Sequence, residues 1–417
     1  MSTKQQNVPK LRFPEFSGAW EEHDLSNCIQ SLDAGISVNS GDRPAENNEF
    51  GVLKTSCVTL GEFNPDENKH VFEDVEICRL KEPVVADTII ISRMNTPSLV
   101  GANAIVRQDF PNLFLPDRLW AAKVKSTASP VWVALLLSRF QMRDALSARA
   151  TGTSGSMKNL TKGDVLSLPL VLPSLPEQNK IAAFLGAVDA KLAALRQSQK
   201  LLQDYKKGLM QKLFSQALRF KRDDGTAFPD WEERELNELA ARCTAKNISL
   251  DYMRVLTNSA VKGVIDQGDY FDKDIANVDN LGGYYIVKKG DFVYNPRIST
   301  SAPVGPIKRN DVGDGVMSPL YTVFRFHKPN TAFFEQYFQT TLWHDYMKSV
   351  ANYGARHDRM AIGSKDFMAL PLPLIHPDEQ RKIADALSAL DAKIAAVSAQ
   401  VDKMTLFKKG LLQQMFV

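Results

Sequence analysis

At 417 residues the chain exceeds the usual size of one domain, and two domains with connecting elements are the natural expectation. Hydrophobic residues make up 44% and charged residues 24%, an ordinary globular balance that excludes a disordered or fibrous chain. Lys and Arg number 51 against 48 Asp and Glu, so the net charge of +3 neither demands nor forbids a polyanionic partner, and any nucleic-acid contact must come from local basic patches.

The opening MSTKQQNVPKLRF has no apolar signal core. The longest apolar runs, such as VWVALLL at 131–137, fall far short of the roughly 20 residues that cross a bilayer, so the reading is a cytoplasmic protein without a membrane span. Leu11-Arg12-Phe13 with Trp20-Glu21-Glu22 opens a first region placed at 1–175. Pro65-Asp66-Glu67-Asn68-Lys69 carries the acids and lysine of a nuclease pattern, but the acids stand too close together, and a turn is the better reading. DTIIIS at 87–92 reads as a strand running into Arg93-Met94-Asn95-Thr96. There Arg93, Asn95 and Thr96 suit phosphate and base-edge contacts. The polar loop TGTSGSMKNLTK at 151–162 adds Ser154, Ser156, Lys158 and Asn159, with glycines that allow a ligand close to the backbone.

A framework helix is expected at 176–217. Ile181, Val188, Leu195, Leu202 and Leu209 recur every seven residues, with Leu185 and Leu192 four residues after the first two, which is a heptad seam. Ser174 and Glu177 have capping-box spacing before it. The second region, at 218–376, opens on Leu218-Arg219-Phe220 and Trp231-Glu232-Glu233. YYIVKKGDFVYN at 284–295 reads as strands, followed by Arg297, Ser299 and Thr300 as a second candidate edge for reading DNA. Lys288, Lys289, Lys308 and Arg309 look like backbone-charge contacts. The loop NYGARHDRMAIGSK at 352–365 supplies Tyr353, Arg356, His357 and Arg359. A second framework helix at 377–417 carries Ile383, Leu387, Leu390, Ile394, Val397, Met404 and Leu411. Gln199, Lys206 and Lys408 are polar seam positions, open either to partner helices or to solvent.

Residues 177–214 align without gaps on 379–416 at an offset of 202, with 18 identities in 38 positions. The register extends upstream, Gly152 to Gly354 and Asp164 to Asp366, whereas 26–150 and 240–352 share little. A repeated framework with divergent contents predicts two α/β (α+β) heads, held apart by two long helices in an antiparallel coiled coil with pseudo-twofold symmetry. Chemistry of its own is not expected. There is no GxxxxGK[ST] loop, no GxGxxG after a strand and no Asn/Asp-Pro-Pro-Tyr/Phe tetrapeptide. Cys28, Cys57, Cys78 and Cys243 lack CxxC spacing, and the six histidines form neither HxxxH nor HExxH, so no metal site is expected.

LPLVLPSLPEQNKIAAFLGAVDAKL with its second copy, the LRFPEF opening with Trp20 and the ending KKGLLQQMF resemble type I restriction-modification specificity (S) subunits, over nearly the whole chain. The resemblance implies a non-catalytic subunit in which each head reads half of a bipartite double-stranded DNA site. It also implies methyltransferase subunits, expected as two, clasping the helices, and restriction/translocase subunits beyond them. S-adenosylmethionine, ATP and Mg2+ would then sit on those partners and none on this chain. Two other readings stand beside it: a degenerate nuclease acting alone, and a coiled-coil scaffold whose heads bind peptides.

Overall fold

The computed structural model describes residues 7–59, 61–154, 156–268, 278–328, 331–352 and 358–417, without the side chains of Thr153, Ser154, Val278 and Asp279. It divides into two units, Met1–Arg196 with Ala399–Val417, and Gln197–Ser398.

In the first unit the chain runs through β1 (Glu21–Asp24), β2 (Ile29–Ala34), β3 (Phe50–Leu53), β4 (Asn68–Val71), α1 (Asp74–Ile77), β5 (Pro83–Val84), β6 (Ile89–Ser92) and β7 (Met94–Asn95). It continues through β8 (Asn103–Ile105), β9 (Phe110–Phe114), β10 (Leu119–Val124), α2 (Pro130–Ser138), α3 (Phe140–Arg149), β11 (Thr151–Ser154), β12 (Met157–Asn159), α4 (Lys162–Leu166) and β13 (Pro169–Leu172) into α5 (Leu175–Phe214). The central antiparallel sheet has the order β2-β10-β6-β8. Ile89, Ile91, Trp120 and Ala122 pack with α2 and the start of α5, whereas Ile90, Ala104 and Ala121 pack with Leu53, Val84 and Leu113 of the sheet β4-β3-β9-β5. Covered on both faces, β6 needs apolar residues at successive positions, which is why it reads IIIS and not as an alternation. The VWVALLL run lies inside α2, with Pro130 in its first turn, and Pro65–Lys69 forms the turn into β4, where Asn68 donates to the Pro65 carbonyl.

The second unit holds β14 (Glu232–Glu235), α6 (Leu236–Leu239), β15 (Ala240–Arg242), β16 (Leu256–Ser259), β17 (Gly263–Asp266), β18 (Tyr285–Val287), β19 (Phe292–Tyr294) and β20 (Ile307–Arg309). After these come β21 (Gly315–Met317), β22 (Thr322–Phe326), α7 (Ala332–Tyr337), α8 (His344–Val350), α9 (Ser364–Met368), β23 (Pro371–Leu374) and α10 (Pro377–Gln414). Its central sheet, β15-β22-β19-β20, is again sandwiched. Phe292, Tyr294, Phe324 and Phe326 face a helical core with Phe333 and Phe367, while Val293 and Val323 face Leu256, Val264, Val287 and Met317.

The heptad residues are most buried in the first half of each helix. Ile181, Leu185, Val188, Leu192 and Leu195 of α5 and Ile383, Leu387, Leu390 and Leu411 of α10 are buried; Leu202, Leu209, Ile394, Val397 and Met404 are half-buried. Within the first unit Ile181, Leu185 and Val188 share a cluster with Leu411 and Met415; within the second, Met210 and Leu213 share one with Ile383 and Leu387.

Each helix begins at a buried glutamate. Glu177, 2% exposed, accepts from the Arg12 guanidinium through both oxygens at 2.8 Å and from the Trp20 indole at 3.3 Å. Glu379, fully buried, accepts from Arg219 at 3.1 and 2.8 Å and from Trp231 at 3.1 Å. The carboxylate that the capping-box spacing assigned to the helix start thus serves the opening segment. The helix start is met instead by the Gln178 N–H donating to the Ser174 carbonyl, and in α10 by the Asp378 N–H donating to Nδ1 of His376.

Candidate nucleic-acid interface

In the first unit the structure joins two segments that lie about sixty residues apart in the chain. β7 pairs with β12 and β12 with β11, so Lys158 lies opposite Asn95 and Asn159 opposite Met94. Arg93 leads into this small sheet from β6. Its N–H donates to the Arg118 carbonyl and its carbonyl accepts from Leu160, at 3.0 and 2.9 Å. Its half-buried guanidinium lies 5.2 Å from the centre of the Trp120 ring, and its Nε donates to Oδ1 of Asn159 at 3.4 Å. Asn95 and exposed Thr96 form a tight polar turn in which the Thr96 N–H donates to the Asn95 amide oxygen at 2.8 Å. Lys158 donates to the Ala150 carbonyl at 3.1 Å, and Ser156 is exposed. Gly152 answers to its own hairpin: a Cβ there would stand 2.3 Å from the Met157 carbonyl oxygen, so the glycine closes the turn before any ligand arrives. The Ser154 side chain lies outside the described residues.

The second unit makes a similar junction with fewer bonds. Arg297 bridges to Arg359, the Ile298 N–H donates to the Asp358 carbonyl at 3.1 Å, and the Met360 N–H donates to Pro296 at 2.9 Å. Asn352 bridges to Ala361. Arg297, Ser299 and Thr300 are exposed, Ser299 is within 3.2 Å of the Ser301 hydroxyl, and Arg359 lies 3.6 Å from Asp358. Tyr353, Arg356 and His357 fall outside the described residues.

The remaining basic candidates lie at the opposite end of β19. Lys288 and Lys289 are exposed in the turn before it, with their backbone N–H groups held by Asp291 and Asp314 at 2.8 and 2.9 Å. Arg309 is engaged by Asp311 at 3.4 Å and Glu335 at 3.3 Å. Burial pulls the Lys308 ammonium below its usual range, with nearby Lys206 adding to the effect, and burial likewise pushes the Glu335 carboxyl up.

Sequence reasoning passed over two kinds of residue. Trp120 sits inside an apolar strand, and only its three-dimensional neighbour, Arg93, marks it. Asp189 and Asp391 flank the seam and answer its lysines: Lys206, 7% exposed, meets Asp391 at 2.6 Å and Gln339 at 2.9 Å, and Lys408 meets Asp189 at 2.5 Å. The signal was present in the repeat, since Asp189 and Lys206 recur as Asp391 and Lys408 at the offset of 202. Among the described residues no group of three His, Cys, Asp or Glu side chains could hold a metal ion, and no helix is long and apolar enough to cross a membrane.

No protein-family model matches the chain. The MjaX type I restriction enzyme specificity subunit of Methanocaldococcus jannaschii is 23% identical over 439 aligned residues, covering 98% of this chain and 95% of that protein. The MjaVIII specificity subunit of the same organism is 25% identical over 263 residues, 59% of this chain and 60% of that one. In structure, the type I restriction-modification S subunit of M. genitalium superposes with a TM-score of 0.61 at 15% identity, covering 98% of this chain and 99% of its own, which establishes a shared fold. The resemblance carried by the repeated framework therefore extends from one end of the chain to the other.

Proposed function

We propose that this chain is the DNA-reading subunit of a type I restriction-modification complex. Its two units recognise the two halves of a bipartite site, and its two long helices, paired antiparallel, set the gap and recruit methyltransferase and restriction subunits. The observation that carries the reading is the end-to-end similarity to a specificity subunit, 98% of this chain against 95% of that relative. Catalysis, with S-adenosylmethionine, ATP and Mg2+, is assigned to the partners.

The ion pairs of the long helices support the antiparallel pairing. In the first unit the second copy's lysine, Lys408, meets the first copy's aspartate, Asp189; in the second unit Lys206 meets Asp391, with the copies exchanged. Reciprocal contacts of this kind are the signature of a twofold-related interface. Two tethered reading units gain affinity only when the connection places the second at the correct distance and helical phase, which makes the gap part of specificity.

The test is co-expression with a type I methyltransferase subunit, taken from a neighbouring gene where one is present, followed by genome-wide mapping of methylated adenines. A split motif with a fixed gap is expected. Purified chain that cuts or methylates DNA by itself would replace this reading with the enzyme, and a chain that captures peptides but no duplex at any salt concentration would replace it with the scaffold. Inserting four residues after Ala193 lengthens a helix by about 6 Å. The modified sites should then show a longer gap, and an unchanged gap rejects the helices as a ruler.

A further inference from the structure

Resting on that reading, we infer that Arg93 reads a guanine in one half-site and that Trp120 is the residue that positions it. Arg93 is fixed at its root, because its N–H and carbonyl are bonded to Arg118 and Leu160, on different segments. Its guanidinium is fixed next, lying over the Trp120 ring at 5.2 Å and donating through Nε to Asn159. Among the described residues no carboxylate pairs with Arg93, whereas Arg12, Arg43, Arg219, Arg254 and Arg325 each face one. A cation held by an aromatic face and an amide, with its two terminal amino groups not taken by an acid, is prepared for an acceptor that arrives with a ligand. Paired acceptors on guanine, O6 and N7, are the commonest base-edge match for arginine in the major groove.

The choice of tryptophan is itself informative. Trp120 is 2% exposed and its indole N–H has no partner among the described residues, so a phenylalanine would fill most of the site without burying an unmet donor. What the indole adds is the strongest aromatic face for a cation. The neighbouring small sheet supplies the second support through Asn159, on β12.

The experiment uses the full chain with its methyltransferase partners and a panel of duplexes in which every base pair of the modified site is varied in turn. Arg93→Ala should cost roughly tenfold to a hundredfold in discrimination at a single G·C pair of one half-site and leave preferences in the other half-site intact. Trp120→Leu should cost discrimination at that same pair, and Asn159→Ala should do so to a smaller degree. Where Trp120→Leu abolishes folding, Trp120→Phe keeps a ring in the core and should lose part of the preference there. Uniform weakening by Arg93→Ala with every base preference retained makes Arg93 a phosphate contact and overturns the inference. Trp120→Phe and Asn159→Ala proteins that discriminate as the unaltered chain does overturn the positioning role. An unaltered chain that modifies no bipartite site brings down the DNA-reading proposal itself, a result distinct from both.

Discussion

The two units are nearly alike where their helices begin and unlike where their candidate reading edges lie. Glu177 with Arg12 and Trp20, and Glu379 with Arg219 and Trp231, bring the same three residue types together, each with a bidentate guanidinium, and differ in which carboxylate oxygen the indole shares. At the edges, Arg93 is half-buried against Trp120, while Arg297 is exposed and bridged to another arginine, Arg359. A joint must hold the same geometry whatever is being read. A reading surface must differ if two different half-sites are to be told apart.

The comparison breaks most readily at the joint. Glu177→Ala strands the Arg12 guanidinium and the Trp20 N–H, and Glu379→Ala does the same to Arg219 and Trp231; each should cost about 3–5 kcal/mol, because the partner left behind is a mostly buried charge. Equilibrium urea unfolding of the two variants should give losses within about 1 kcal/mol of one another if the arrangements carry equal weight. A large loss in one and a small loss in the other would mean that the likeness is geometric only.

The helix ion pairs should separate the two units. Asp391→Ala leaves Lys206 enclosed, but Asp391 is 44% exposed, so the full penalty for a buried pair is discounted to about 2 kcal/mol. Asp189→Ala leaves Lys408, itself 25% exposed, and should cost about 0.5–1 kcal/mol. Lys206→Met in the Asp391→Ala background should recover most of the loss, since it removes the stranded charge and keeps the stem. Thermal unfolding of the double variant checks this, and failure to recover would assign the cost to Gln336, which also donates to Asp391.

How much of this was legible in the sequence follows from how local each feature is. The long helices follow from heptad periodicity, the strands at 89–92 and 292–294 from short β-branched or aromatic runs, and the turn at Pro65 from its turn residues, all signals that lie within a few positions. The repeat also pointed to Arg12, Trp20, Arg219 and Trp231 through the recurring Leu-Arg-Phe and Trp-Glu-Glu. It could not say that the partner of each arginine is a glutamate 165 or 160 positions away. The candidate edges were seen as separate pieces, Arg93–Thr96 and 151–162; their union depends on β7 pairing with β12, a long-range register that no local pattern encodes. Lys288, Lys289, Lys308 and Arg309 looked like one basic group, yet Arg309 is tied to acids and Lys308 is desolvated, which sequence charge alone does not reveal.

The exposed basic residues at the two ends of β19, Arg297 at one and Lys288 and Lys289 at the other, sharpen the contrast between edges at the smallest scale. Arg297, exposed and without a carboxylate among the described residues, should behave as a phosphate contact. Arg297→Ala would then weaken binding on every duplex alike and lower the slope of log affinity against log salt by about 1. Lys288 and Lys289 stand beyond the other end of β19, so if DNA engages only the Arg297 end, Lys288→Ala and Lys289→Ala should leave that slope unchanged. Binding measured from about 50 to 200 mM salt decides between the two. A slope reduced by all three substitutions would place DNA along the whole length of β19, and the second edge would then be a broad electrostatic surface where the first is a single braced arginine.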